Sequence, residues 1–185
     1  MVRRKIAIVM LMLVVLAGCE KEGPTQRAVD LRTALLSAQG CSFTAHIRAD
    51  YGEKLYDFSL DADYAPDKTT LAVIAPKEIA GIAAVTDKDG TSLQFDGAEL
   101  ELGKLANGLV SPILVPWILG QCWTGEYISC AGKDAELYRV TYLKGYDEEE
   151  LQVDTWLDGD DIPVYAEIFY GDVRCITVQI ENFQM

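Results

Sequence analysis

Apolar positions along this chain recur first at helical spacing and then, for most of its length, at every second residue. Val29, Leu31, Ala34, Leu35 and Ala38 fall on one side of a helix of about three turns, with Gly40 placed where such a helix would stop. After Cys41 the period changes to two. Phe43, Ala45, Ile47, Ala49 and Tyr51 alternate with Thr44, His46, Arg48 and Asp50, and Tyr56, Phe58, Leu60, Ala62 and Tyr64 alternate with Asp57, Ser59, Asp61 and Asp63. Side chains on a strand point to alternate faces, so each segment is a half-buried strand, and the break at Gly52–Lys54 makes the two an antiparallel pair.

The alternation continues through 69–75, 82–86, 91–95 and 98–102, with Asp89-Gly90 and Asp96-Gly97 as tight-turn signals. A second series covers 126–130, 136–142, 151–157, 164–170 and 174–181, with Gly132-Lys133-Asp134, Asp158-Gly159-Asp160 and Gly171-Asp172 as its breaks. The predicted class is α+β, with about ten or eleven strands in one large curved antiparallel sheet, an incomplete barrel. Between the two series lies residues 111–120, SPILVPWILG. Ser111 suits an N-cap and Pro112 the first helical position, while Pro116 removes a donor one turn later, so the helix is expected to kink or to start late. Apolarity on every side means burial on more than one face, which places this helix inside the curve of the sheet.

One apolar run belongs to neither series. Residues 6–16 follow Arg3, Arg4 and Lys5 and end in Leu16-Ala17-Gly18-Cys19. The run is too short for the roughly 20 residues that span a bilayer and has the length of a signal-peptide core. Its last four residues form a lipobox: small residues before a thiol that accepts a diacylglyceryl group. Residues 1–18 are therefore expected to be removed by cleavage between Gly18 and Cys19. Residues 19–28, polar with a Gly23-Pro24 break, become a lipidated tether, and 29–185 form the folded domain. This predicts a lipid anchor on the extracytoplasmic face of a cell membrane, with two acyl chains giving stable attachment where one chain is marginal.

Charge agrees with a body that stands off the bilayer. The sequence has 16 basic and 29 acidic residues, and the leader carries three of the basic ones, so the chain from Cys19 has a net charge of −16. Nucleic acid is excluded as a partner, and an anionic lipid surface repels the domain itself. With Cys19 assigned to the anchor, Cys41, Cys122, Cys130 and Cys175 are an even number outside the cytoplasm, which permits two disulfides in any of three pairings or four free thiols. Zinc is disfavoured by the Cys122–Cys130 spacing and by a single histidine.

Little else in the sequence carries chemistry. His46 falls on the polar face of its strand, with no local nucleophile motif. The acidic run Asp147–Glu150 lacks the alternating ligands of an EF-hand loop and reads as a solvated turn. The Asp158–Asp161 segment reads as a tight turn before Pro163. No phosphate-cradling glycine loop is present, so neither catalytic residues nor a cofactor or metal is expected.

The order of elements, with Pro76-Lys77-Glu78-Ile79-Ala80-Gly81-Ile82, the Ser-Pro helix and a closing meander containing Asp158 and Pro163, resembles the lipoprotein-localisation (LolA/LolB-like) carrier superfamily over roughly residues 29–183. That resemblance implies an incomplete barrel whose concave interior holds acyl chains. It implies an apolar site lined by Phe43, Ile47, Phe58, Ile113, Leu114, Trp117 and Ile118. An anchor at Cys19 sets the chain apart from a soluble shuttle and points to a membrane-attached binder of an acyl chain, free or on a lipoprotein. The alternative is an envelope sensor or interaction module with a filled core that acts on a partner protein.

Overall fold

The computed structural model describes residues 23–95, 98–102, 110–146 and 149–185. Leu16–Cys19 and the cleavage site, the first part of the tether, the Asp96-Gly97 turn, and Asp147 and Glu148 of the acidic run lie outside the described residues.

The chain opens with helix α1, Pro24–Ala38. It begins five residues before the first periodic apolar position because Gly23-Pro24 starts a helix rather than breaking one: Gly23 is extended at the N-cap, and proline at the first turn lacks only an N–H that would have no partner. The buried face is Ala28, Leu31 and Leu35, while Val29 and Ala38 are exposed. Gln39 takes the left-handed conformation and Gly40 follows at φ 145°. A side chain at Gly40 would run into the carbonyl oxygen of Tyr64, so glycine there permits the close approach of the helix end to a strand.

Eleven strands follow in one antiparallel sheet: β1 (Cys41–Asp50), β2 (Leu55–Ala65), β3 (Lys68–Ala75), β4 (Ala83–Asp87), β5 (Thr91–Phe95), β6 (Ala98–Leu102), β7 (Tyr127–Asp134), β8 (Leu137–Tyr146), β9 (Glu149–Leu157), β10 (Pro163–Tyr170) and β11 (Val173–Gln184). Their spatial order is β6-β5-β4-β3-β2-β1-β11-β10-β9-β8-β7, so the two meanders join where β1 pairs with β11, and β6 and β7 are the two edges of an incomplete barrel. In the second meander β7 runs four residues past the expected end. Its turn is at Ala135-Glu136, with Ala135 at φ 53°, instead of at Gly132–Asp134. Glu149 and Glu150 of the acidic run belong to β9, paired with Tyr146 and Gly145. Asp158 makes the expected turn, its Oδ1 accepting from the N–H groups of Asp160 and Ile162.

The segment after Ser111 starts late, as its second proline dictates. Pro112–Leu114 is a single 3-10 turn, and α2 runs over Val115–Thr124 with Pro116 in its first turn. Ser111 is buried but does not cap the helix through its side chain. Val115, Ile118, Leu119, Cys122 and Trp123 are all buried against the concave face, whose strands contribute Phe43, Ala45, Ile47, Leu60, Tyr142, Val153, Ile168 and Val178. Trp123 lies edge-on to Phe43 at 5.6 Å and donates from its indole N–H to Thr155 Oγ1 at 3.1 Å.

An apolar rim and a closed rim

Alternate turns of a meander lie at opposite ends of the sheet, so this half-barrel has two rims. One carries the turns after β2, β4, β7 and β9, and α1 crosses it. Arg27 donates to the Gly159 carbonyl at 3.3 Å, pairs with Asp161 in the β9–β10 turn, and lies over the Tyr138 ring at 4.2 Å. Arg32 holds the C-terminal end of α2, donating to the carbonyls of Trp123 (3.1 Å), Cys122 (3.2 Å) and Glu126 (2.6 Å). Those carbonyls have no helical partner, and a guanidinium beside them also complements the helix dipole. Gly40 then brings the chain down beside Tyr64. The turns of this rim, Pro66-Asp67, Lys88–Gly90, Ala135-Glu136 and Asp158–Asp161, are polar.

The other rim carries the turns after β1, β3, β5, β8 and β10, and it is apolar. Leu55, Tyr56, Phe95, Tyr127 and Val173 stand at strand ends there, and each is between 44% and 69% exposed. Tyr56 packs edge-on against Tyr51 at 5.9 Å, and the Tyr51 hydroxyl donates to the Val110 carbonyl, which fixes the chain leading into α2 against this rim.

Between the rims, α2 packs on β2, β3 and β8. Tyr64 is the pivot: its hydroxyl is 2.8 Å from Thr124 Oγ1 and receives a hydrogen bond from Gln121, and its ring takes the space that a side chain at Gly120 would occupy. Burial outweighs these hydrogen bonds and raises the Tyr64 pKa above the ordinary phenol value. Beyond β3 the inner face of the sheet is graded. Register aligns Thr69, Thr86 and Thr91 in a buried rung at the polar end, with the Thr86 and Thr91 hydroxyls 3.0 Å apart. The next rung is Leu71, Ala84 and Leu93, and Val73 and Phe95 follow toward the apolar rim.

The seven residues expected to line a site divide into two groups. Phe43, Ile47, Phe58 and Ile118 are packed into the core, between 1% and 8% exposed, where they serve the fold and leave no free surface. Ile113, Leu114 and Trp117 are half-buried at the margin of the core, and the structure adds Ile79, Ile82 and Leu93 from the facing wing of the sheet. The sequence reading did not place these three at a site, and it began a strand at Ile82 where β4 starts at Ala83, because only the position of α2 decides how far along the sheet the core extends. The candidate site is thus the half-buried apolar margin formed by Ile113, Leu114 and Trp117 with Ile79, Ile82 and Leu93 of the β3–β5 wing.

The four cysteines among the described residues are unpaired. Cys41 on β1, Cys122 on α2 and Cys175 on β11 are buried free thiols, and Cys130 is an exposed one on edge strand β7, the four-free-thiol arrangement of the two that the sequence left open. Burial, with the Asp63 charge adding to it, pushes Cys41 up to about 12, and burial also raises Cys122 and Cys175. All three stay protonated and poor as nucleophiles. Among the described residues no group of three or more metal-ligating side chains is gathered, and no helix is long and apolar enough to cross a membrane.

His46 is less isolated than its sequence context implies. Its Nδ1 is 2.6 Å from Ser59 Oγ on β2 and its Nε2 is 3.4 Å from Glu181 Oε2 on β11. Sequence proximity did not reveal Ser59, which is brought across by the β1–β2 register. The trio spans three neighbouring strands on the outer face of the sheet, with Ser59 paired to His46 on one side and to Ala75 on the other, beside a register shift between Ser59 and Leu60.

No protein-family model and no curated protein matches the sequence. Among solved structures, a LolA superfamily protein from Nitrosomonas europaea aligns over 88% of this chain and 93% of its own at 6% identity, with a TM-score of 0.50. The Mycobacterium tuberculosis lipoprotein LppX aligns over 86% of this chain and 92% of its own at 13% identity and TM-score 0.43. A structure of the Clostridioides difficile CwlD amidase in complex with the GerS lipoprotein aligns over 85% of this chain and 92% of the matched one at 14% identity and TM-score 0.43. Strand order and the two helices, together with the first of these alignments, establish that the chain has a LolA-like fold.

Proposed function

We propose that this chain is an extracytoplasmic lipoprotein, held on a cell membrane by a diacylglyceryl group on Cys19, whose half-barrel binds an acyl chain or similar apolar ligand without catalysing a reaction. The observation that carries the reading is the asymmetry of the half-barrel. One rim is crossed by α1 and has polar turns, with Val29, Leu36 and Met185 the large apolar side chains exposed there, while the other has five, Leu55, Tyr56, Phe95, Tyr127 and Val173, at its strand ends beside a half-buried apolar margin. A ligand site needs accessible apolar surface with a few placed polar groups, and the threonine rung at the inner end of the wing supplies the polar boundary. The lipobox supplies the location.

Trp117 lies on the margin of the site, so its share of an emission to which Trp123 and Trp156 also contribute reads ligand uptake. A fatty acid bearing an anthroyloxy group, titrated into the anchored protein, is expected to quench that emission and to saturate at one per chain. Leu93→Asp should weaken uptake at least about tenfold while the far-ultraviolet spectrum stays unchanged. Absence of quenching, or undiminished affinity in Leu93→Asp, would remove the ligand-binding reading. One observation favours the second reading, a sensor or interaction module acting on an envelope protein: four of the seven expected lining residues are sealed in the core. A core filled in that way gives no saturable quenching in the same titration.

A further inference from the structure

We infer that the apolar rim faces away from the bilayer that anchors the protein, so that an apolar ligand reaches the site from the aqueous compartment and not from the anchoring membrane. The inference rests on the proposed attachment at Cys19 and goes beyond it by fixing which end of the half-barrel meets the lipid.

The first step is where α1 begins. Arg27, one turn into the helix, is bound to Gly159 and Asp161 in the β9–β10 turn and lies over Tyr138, next to the β7–β8 turn. Both turns belong to the polar rim. The other end of α1 meets β2 at Tyr64, also at the polar rim, so the helix crosses that rim from side to side. The start of the folded domain is therefore at the polar end.

The second step is length. Pro24 is five residues after Cys19, a stretch that spans at most about 17 Å when fully extended. Strand β1 has ten residues, about 33 Å of strand, and at the tilt of a barrel the two rims are about 25 Å apart. A bilayer pressed against the apolar rim would hold Pro24 beyond the reach of its own anchor. With the polar rim toward the bilayer, the same tether is long enough.

Two pairs of positions test the orientation in protein carrying Cys130→Ser, which removes the exposed thiol. Glu136→Cys and Asp160→Cys place a fluorescein donor at the polar rim, and Glu53→Cys and Asp172→Cys place it at the apolar rim. The anchored variants are reconstituted in phosphatidylcholine vesicles containing rhodamine-headgroup lipid. Energy transfer is expected to be stronger from both polar-rim positions than from both apolar-rim positions. Equal transfer, or stronger transfer from Glu53→Cys and Asp172→Cys, overturns the orientation while leaving the anchor standing. Failure of the wild-type chain to float with vesicles overturns the anchor, and the orientation with it. A second comparison tests the source of ligand. A soluble anthroyloxy fatty acid should quench Trp117, whereas a phospholipid bearing the same group in the anchoring vesicle should not, and equal quenching by the two overturns the inference.

Discussion

A methyl group added at Gly120 would enter the Tyr64 ring, and one added at Gly40 the Tyr64 carbonyl, so a single tyrosine sets the approach of both helices. Alanine at Gly120 brings a helix-propensity gain of about 1 kcal/mol, but overpacking against a buried ring costs about 1–3 kcal/mol, and this ring is held by Thr124 and cannot easily yield. Gly120→Ala is therefore expected to lower the urea midpoint, and Gly120→Ala combined with Tyr64→Leu to lose less than the sum of the two single changes. The buried thiols give a second expectation. Their folded pKa values are raised, so the folded state keeps protons that the unfolded chain releases from about pH 8.5 upward. Their contribution is complete below that pH and falls as pH rises toward about 12 for Cys41, by up to about 1.4 kcal/mol per unit per thiol. Thermal melts between pH 8 and pH 10.5 should show this alkaline loss, with a shallower slope in Cys41→Ala.

At the scale of elements, α2 depends on a residue far from it in sequence. Arg32 on α1 donates to three carbonyls at the end of α2, and hydrogen bonds to a charged group contribute about 1.5–3 kcal/mol. Arg32→Met keeps most of the buried stem and removes the donors. A loss of about 2 kcal/mol or more in urea unfolding is expected, with faster amide exchange in the chain from Cys122 to Glu126. No local pattern announces this pairing, whereas the strands themselves were legible: alternation places β1 to β6 within two residues of their ends, and in β1 to β4 one face is buried, which period two records. The misses have local causes. Gly23-Pro24 has the same letters as a loop and acts as a helix start, and Gly132 sits inside β7 because an exposed edge strand does not require a side chain there. The site was half legible for a different reason. An all-apolar helix declares that it is buried but not which of its residues lie at the margin of the core, so Trp117 and Ile118, adjacent in sequence, end with opposite roles.

For the whole molecule, the decisive contact joins the beginning of the sheet to the end of the chain. Strands β1 and β11 pair over seven registered positions, Ala45 to Ile180 and Ile47 to Val178 among them, and this ladder is the direct link between the two meanders. Core helix α2 packs on β2 and β3 on one side of the seam and on β8 on the other, so neither half keeps its apolar face covered without its neighbour. Folding should therefore be a single transition, in spite of a sequence that reads as two successive meanders. Trp123 reports from the helix and Trp156 from β9, so tryptophan emission and far-ultraviolet circular dichroism should trace the same urea curve. Val178→Asp puts an unpaired carboxylate at a fully buried position on the seam, opposite Ile47 and Ala166. That substitution is expected to unfold both meanders together, with loss of at least about 4 kcal/mol. Two separated transitions in the wild type, or a Val178→Asp protein that keeps half its strand signal, would show that the meanders stand alone and that the seam is only a contact between them. A cooperative seam would also keep the α1-covered rim and the apolar rim at opposite ends of one rigid body, the condition on which a short tether can dictate where the apolar site points.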